Sequence, residues 1–279
     1  MKKVHFLIAS IFFLLISCSK DDILIQEGND IFGFTSLTEA REYLGIYADI
    51  FVPTNGSMYI RSTTYASANV EKAEIFGRYN ESSNTTPSDG GTYQIGNIEL
   101  NFDESSQDYL PLEGNLTNDE KVSSINTLFG KENQVGLKKN GEVITEFSQY
   151  LPKKINVNIE NKIPYPNSNL NSIEHDNFKI SWNEDSKNNN GIVVYLWWNG
   201  DRTDLGVNEQ GQGETINQSI KLDDNGEAII SSEFFRKIPQ NAIISIFFIR
   251  GNIDVKEIEG KSYKFYSVTQ EKHNLILTK

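Results

Sequence analysis

Few side chains in this chain are spaced for chemistry, and the most suggestive are aromatic. In the apolar run Ile192–Trp198, alternation across a strand places Tyr195 and Trp197 on one face. They stand roughly 7 Å apart along the strand, a spacing at which two rings could stack on adjacent sugar units. The competing reading is packing. Residues 242–250 are also apolar on both faces, with Ile244, Ile246 and Phe248 on one and Ile243, Phe247 and Ile249 on the other. Two such strands imply a sheet covered on both sides, by the rest of the chain or by a partner.

A second cluster, Asp223-Asp224-Asn225-Gly226-Glu227, carries oxygen donors of the kind calcium takes. It lies between two strand signals with Asn-Gly at its centre, which reads more simply as a hairpin turn. Asp201, Asp204 and Glu209 are scattered in a Gly-rich loop and make a weaker calcium set. Nucleophilic catalysis has little to build on. A Ser–His–acid triad needs a histidine base; beyond His5, only His175 and His273 are present, and no Gly-x-Ser-x-Gly accompanies them. The sequence also lacks His-Glu-x-x-His and any phosphate-binding Gly loop. A carboxylate pair for glycoside hydrolysis has no sequence spacing that would reveal it. The expectation is a protein that is not an enzyme, with no cofactor and no metal.

The positioning elements begin with an address. Lys2 and Lys3 precede the apolar run Phe6–Ile16, which is shorter than the roughly 20 residues a spanning helix needs. A basic start, a short apolar core and a small residue at its end mark a secretory signal peptide. Cys18 is the single cysteine of the chain, so no internal disulfide can form. Leu15-Ile16-Ser17-Cys18 resembles the bacterial lipobox. That resemblance implies cleavage before Cys18 and acylation there, as with palmitate, and hence a membrane anchor. The following Lys20-Asp21-Asp22 resembles the acidic export signal of Bacteroidetes surface lipoproteins. It implies an outer-membrane protein at the cell surface; a periplasm-facing lipoprotein with a plain charged tether is the other reading.

The chain has 279 residues with 26 basic and 38 acidic side chains, a net charge of −12, and cleavage would remove two of the bases. Such a chain repels phosphate backbones, so nucleic acid is not an expected partner. Aromatic residues make up 11% and argue against disorder. The expected organisation is a signal peptide over 1–17, a tether over 18–33, an N-terminal β-rich domain over 34–150 and a second β domain over 151–279.

In the first domain Ser36, Glu39 and Gly45 signal a short capped helix. Ile46–Val52 and Ser57–Tyr65 read as a hairpin about Asn55-Gly56. Ala73–Tyr79 and Tyr93–Phe102 read as strands, and 103–115 as a loop. Asp119–Gly130 reads as a second helix, and Lys139-Asn140-Gly141 as another hairpin turn. Pro152 marks the boundary. In the second domain, Phe178-Lys179-Ile180-Ser181-Trp182 followed by Ile192–Trp198 resembles the fibronectin type III or immunoglobulin-like pattern, in which an apolar-x-apolar-x-Trp strand precedes an aromatic-rich one. The resemblance implies an antiparallel sandwich over roughly 152–279. The fold class expected is mainly β, two β-rich domains with one or two short helices in the first. The function expected is non-catalytic binding, adhesion or envelope assembly; the alternative is a glycan-binding lipoprotein accessory to a polysaccharide-uptake system.

Overall fold

The computed structural model describes residues 36–278 apart from 82–86, 112–116, 177, 201, 204–205 and 208–214. Cys18, Lys20, Asp21 and Asp22 therefore lie outside the described residues, as do Asp201, Asp204 and Glu209.

The fold is mainly β. Helix α1 (Leu37–Leu44) starts at Ser36, whose Oγ accepts from Glu39 N at 3.2 Å, and ends at Gly45 with φ +58°. It runs directly into a 3-10 turn, Gly45–Phe51. This corrects the expected strand over 46–52 and its hairpin. Leu37, Ala40, Leu44 and then Tyr47 and Ala48 recur at three- or four-residue intervals and are all buried, so one apolar stripe at helical period continues through the turn. The neighbouring Ile46, Ile50 and Val52 had supplied the β signal.

Strands β1 (Gly56–Tyr65) and β2 (Val70–Tyr79) follow. The expected strand over 93–102 is instead a hairpin, β3 (Thr92–Ile95) and β4 (Ile98–Asp103), folded at Gly96 with φ +55°. The expected loop beyond it contains β5 (Asp108–Pro111). Helix α2 (Asn118–Asn126) is held by a reciprocal cap between Thr117 and Glu120. Strands β6 (Lys131–Lys139) and β7 (Glu142–Leu151) meet at Asn140 and Gly141, both with positive φ, as a two-residue hairpin turn requires.

The second half supplies β8 (Val157–Ile159), β9 (Ile163–Pro164), β10 (Asn171–Glu174), β11 (Phe178–Trp182), β12 (Ile192–Trp198), β13 (Arg202–Thr203), β14 (Gly206–Val207), β15 (Ile216–Leu222), β16 (Glu227–Ile230), β17 (Ile243–Ile258) and β18 (Lys261–Thr278). A small sheet β16-β11-β8 faces β15-β12-β17-β18 across a core that includes Ile180, Trp182, Val194, Leu196, Ile244 and Ile246. The chain fills these two layers in the alternation of an immunoglobulin-type sandwich. The sequence implied a wholly antiparallel sandwich, and the structure corrects this: β10 and β1 both pair with β18 in parallel.

The larger sheet does not stop at the sandwich. It continues β18-β1-β2-β5-β4-β3-β6-β7, so residues before and after position 151 share one hydrogen-bonded sheet of 13 strands. Its far end curls back. Phe147 on β7 packs edge-on against Phe265 with ring centroids 4.8 Å apart, and Gln149 Nε2 donates to Phe265 O at 3.4 Å. This curl encloses a second core, with Met58, Ile60, Tyr93, Leu100 and Tyr109 capped by Ile125 and Leu128 around α2. The segment 151–154 lies between the two cores. The hairpin β17–β18, however, runs through both: Ile244, Phe248 and Leu275 belong to the first, and Ile258, Tyr263 and Phe265 to the second.

Candidate functional site

The outer face of the sandwich sheet carries Val193 and Tyr195 from β12, Phe247 and Ile249 from β17, and Tyr266 and Val268 from β18. Leu37, Ala40, Leu44, Tyr47 and Ala48 from α1 and the 3-10 turn lie on these residues as a third apolar cluster. Polar bonds fix the cover. Tyr47 Oη donates to Gly191 O at 3.0 Å and accepts from Gly251 N at 3.1 Å. Lys264 Nζ donates to Asp49 O and Val52 O at 3.0 and 2.5 Å, capping the carbonyl end of the 3-10 turn. Burial pushes the Lys264 ammonium down to about 8.

Tyr195 is consequently fully buried, and its hydroxyl donates to Asn217 Oδ1 at 2.7 Å. The sugar-stacking pair Tyr195/Trp197 is thus not presented; the packing reading of this face holds, and the cover is the chain's own N-terminal helix. Trp197 is half-buried at the margin of that cluster.

The segment 223–227 is not a hairpin. Its flanking strands β15 and β16 lie in different sheets, so it is an arch between the layers. Asp224 turns inward. Its Oδ1 accepts from Arg250 at 2.6 Å and from the Trp182 indole N–H at 2.9 Å, and its Oδ2 from Asn188 Nδ2 at 2.9 Å. Both charged side chains are buried, Arg250 to 0% and Asp224 to 2% exposure. Arg250 also donates to Lys153 O at 3.1 Å and Asn183 O at 2.5 Å. The acid cluster is an internal anchor for an arginine, and among the described residues no group of three or more His, Cys, Asp or Glu is gathered for a metal.

The same network grips the segment that joins the cores. Asp185 accepts from Lys153 N at 2.8 Å and from the Tyr150 hydroxyl at 2.9 Å. Asn183 brackets the segment by accepting from Asn156 N and donating to Lys154 O, each at 2.8 Å. Thr269 Oγ1 and Glu271 Oε2 on β18 accept from Ile155 N and Val157 N at 3.0 and 2.9 Å. The linker is thus hydrogen-bonded by side chains where a neighbouring strand would have used backbone, which satisfies donors that burial would otherwise orphan.

Of the two described histidines, His175 lies at the surface with its Nδ1 2.9 Å from Asp176 Oδ1. His273 is buried, its Nε2 2.7 Å from Glu271 Oε1. Glu271 also borders a groove of about 570 Å³ at the junction of the cores, with Thr64, Asn69, Glu71, Lys154 and Asn156. Glu71 and Lys154 are ion-paired there. Through Glu271, which accepts from Val157 N, the histidine–carboxylate pair is tied to the linker. Sequence inspection missed this polar waist. One signal was available: Arg250 closes the mostly apolar run over 242–250, and a lone charge at such a position calls for a buried partner.

A smaller pocket, about 520 Å³, opens at the far end of the sandwich, lined by Tyr165, Pro166, Asn167, Ser168, Ile243 and Ile276. Its rim is a tight turn: Ser168 N donates to Tyr165 O at 3.2 Å, with Pro166 second and Asn167 third at φ +60°. That is the residue order a type II turn demands. No family profile, no curated protein and no solved structure matches this chain.

Proposed function

We propose that this is a lipid-anchored outer-membrane protein, displayed at the cell surface, whose β body serves a non-catalytic binding, adhesion or envelope-assembly role. The observation that carries the anchor is the placement of the chain's one cysteine, Cys18, directly after the apolar run Phe6–Ile16. One acyl chain holds a membrane only marginally, so stable anchoring here rests on more than one chain at that cysteine. Residues 19–35 then separate the lipid from the helical cover. Fully extended, that stretch reaches roughly 60 Å, enough to hold the body clear of the membrane surface. No helix among the described residues is long and apolar enough to cross a membrane.

The binding role is supported by how the body is built. Both cores share one sheet and one hairpin, so surfaces on either end are held in fixed relation. Among the described residues, Arg250, Asp224, Asp185 and Glu271 hold the linker and the arch, and Lys264 holds the helical cover.

Mass spectrometry of the N-terminal peptide from native membranes tests the anchor. The expected product begins at Cys18 with acyl chains attached, and Cys18→Ala is expected to release the protein from the membrane fraction. An unmodified thiol on a chain still carrying Met1 would refute it. Protease treatment of intact cells tests display: full protection would place the body on the periplasmic side. The second reading, a glycan-binding accessory of polysaccharide uptake, is favoured by one observation, the half-exposed Trp197.

A further inference from the structure

The groove at the junction of the cores has a floor that strand register defines. Glu271 on β18 is opposite Thr64 on β1, and Thr64 is opposite Glu71 on β2. Residues opposite one another share a face, so these three form a row across two strand spacings, roughly 10 Å. The linker supplies Lys154, Ile155 and Asn156 around that row, and the end of the β1–β2 hairpin supplies Ala66, Asn69 and Val70. A second cavity, about 600 Å³, adjoins the first and shares Glu71 and Lys154 with it. Its other lining residues are Asp119, Val122, Ser123, Asn126 and Thr127, which at i, i+3, i+4, i+7 and i+8 fall on one face of α2 and its C-cap. Asn69, Val70, Asp119, Ser123 and Asn156 are exposed, so the trough is open along its length.

The lining matches a peptide backbone. Asn69, Asn126 and Asn156 present side-chain amides that no described hydrogen bond engages. Each amide offers an acceptor and two donors, the complement of a backbone N–H and C=O. Glu71 adds its own main chain. Asn80 N donates to Asn55 O, which sets the alternation of the β1–β2 ladder and turns the Glu71 N–H and C=O away from β1. No described strand takes them up, because β5 meets β2 only at Gly77. No aromatic ring lines either cavity, so a sugar has nothing to stack on.

Charge sets the sign of the occupant. The carboxylates of Glu71, Asp119 and Glu271 outnumber the one ammonium of the lining, Lys154, which is ion-paired to Glu71. An acidic segment is repelled and a basic one is drawn in. The chain's own residues 19–35 have the wrong sign, with Asp21, Asp22, Glu27 and Asp30 against Lys20.

We propose that this trough, from Glu271 to α2, binds an extended basic peptide segment of a partner protein. The proposal names the partner chemistry of the binding role above and rests on that role, but not on the lipid. The floor spans roughly 10 Å and a helix is roughly as wide, a path that about six extended residues cover. The asparagine amides and the Glu71 backbone hold the peptide's main chain. Its Lys or Arg side chains reach Asp119 and Glu71, and its small aliphatic ones meet Val70 and Val122.

The test is an array of random hexapeptides with blocked ends, probed with the full chain in detergent. Fluorescence polarisation then ranks the retained sequences. Peptides rich in Lys and Arg are expected to be retained. Asn156→Ala and Asn69→Gly are each expected to weaken binding threefold or more; glycine is used at 69 because that residue has φ +50°. Asp119→Lys is expected to weaken it tenfold or more. N-methylation of alternate peptide residues, which removes backbone donors and keeps the charge, is expected to weaken it tenfold in one of the two phases. Ile229→Ser on the small sheet is expected to leave binding unchanged. Thermal unfolding confirms the fold of each variant; should one not fold, the N-methylated series on the unaltered protein decides. Retention of no peptide would overturn the proposal, as would a preference for acidic peptides. Equal displacement by spermidine or calcium chloride would also overturn it, by making the trough a site for cations alone. Peptide retention insensitive to these substitutions would keep a binding role and remove this site. None of these results touches the anchor, which is read separately from the mass of the N-terminal peptide.

Discussion

The buried pair Arg250–Asp224 gives the sharpest expected outcome, because its neighbour provides an internal control. Asp223 and Asp224 are adjacent acids in one arch. Asp223 is exposed, whereas the Asp224 carboxylate is 2% exposed and accepts from Arg250, Trp182 and Asn188. Asp224→Ala leaves a guanidinium at 0% exposure without its counter-charge. Breaking a buried pair from one side costs about 3–5 kcal/mol. The Trp182 indole N–H also loses its acceptor, and an unsatisfied buried donor costs about 1–3 kcal/mol. The two losses overlap, since relaxation that serves one serves the other, so the expected destabilisation is about 4–5 kcal/mol. Asp223→Ala is expected to fall within about 0.5 kcal/mol of the unchanged protein. Replacing both partners together, Arg250→Met with Asp224→Leu, removes both desolvation penalties, and much of the loss should return. Equilibrium unfolding in urea, followed by tryptophan fluorescence, measures all three. Equal effects of the two aspartate substitutions, or a loss below about 1 kcal/mol for Asp224→Ala, would refute the argument.

Further outcomes follow from the waist, the cover and the tyrosines. Residues 151–279 expressed alone are expected to lack a cooperative unfolding transition, since Ile258, Tyr263 and Phe265 would lose the core they occupy; a sharp calorimetric peak for that fragment would contradict this. Gly251→Val is expected to loosen the helical cover, because even a first added carbon would sit 2.6 Å from Ser267 O and 3.1 Å from the Tyr47 ring; faster proteolysis near Tyr47 and a lower Tm check it. Burial pushes the Tyr47, Tyr93 and Tyr266 hydroxyls upward, so above about pH 10 the folded state keeps protons that the unfolded chain releases. Stability should then fall by about 4 kcal/mol per pH unit from these three together. Lys264 acts with the opposite sign: its depressed value of about 8 penalises the fold below that pH. The penalty lifts as pH rises from 8 toward the unfolded value near 10.4. Urea midpoints should therefore rise or hold from pH 8 to 10 and drop beyond; a steady decline from pH 8 would refute the assignment, and Lys264→Met should abolish the rise.

What the sequence made legible was local. Phe178–Trp182 and Ile192–Trp198 alternate cleanly, and both strands are where the pattern places them. Asn140-Gly141 and the Ser36 cap are short-range chemistry, and both hold in the structure. The packing of Tyr195 was readable because β12 and β17 are apolar on both faces. The identity of its cover was not: the 3-10 turn is rich in Ile and Phe, and its helical stripe shows only when joined to α1. The arch at 223–227 looked like a hairpin because turn residues do not report whether the next strand stays in the same sheet. The waist was hidden for a similar reason. Asp185, Asn183 and Glu271 look like ordinary surface polar residues until the linker is laid across them.

The parallel pairing of β1 with β18 has a temporal consequence. Thr63 and Gln270 are hydrogen-bonded across 207 positions of sequence. A ribosome delivers the first partner long before the second, so the early strands wait with one edge of their sheet unfilled. Contacts of such span make folding slow and leave intermediates exposed. The delay suits the export proposed above, because a polypeptide whose β1 still lacks its β18 partner remains threadable through a secretion channel. Both ends zip together only once β18 is available.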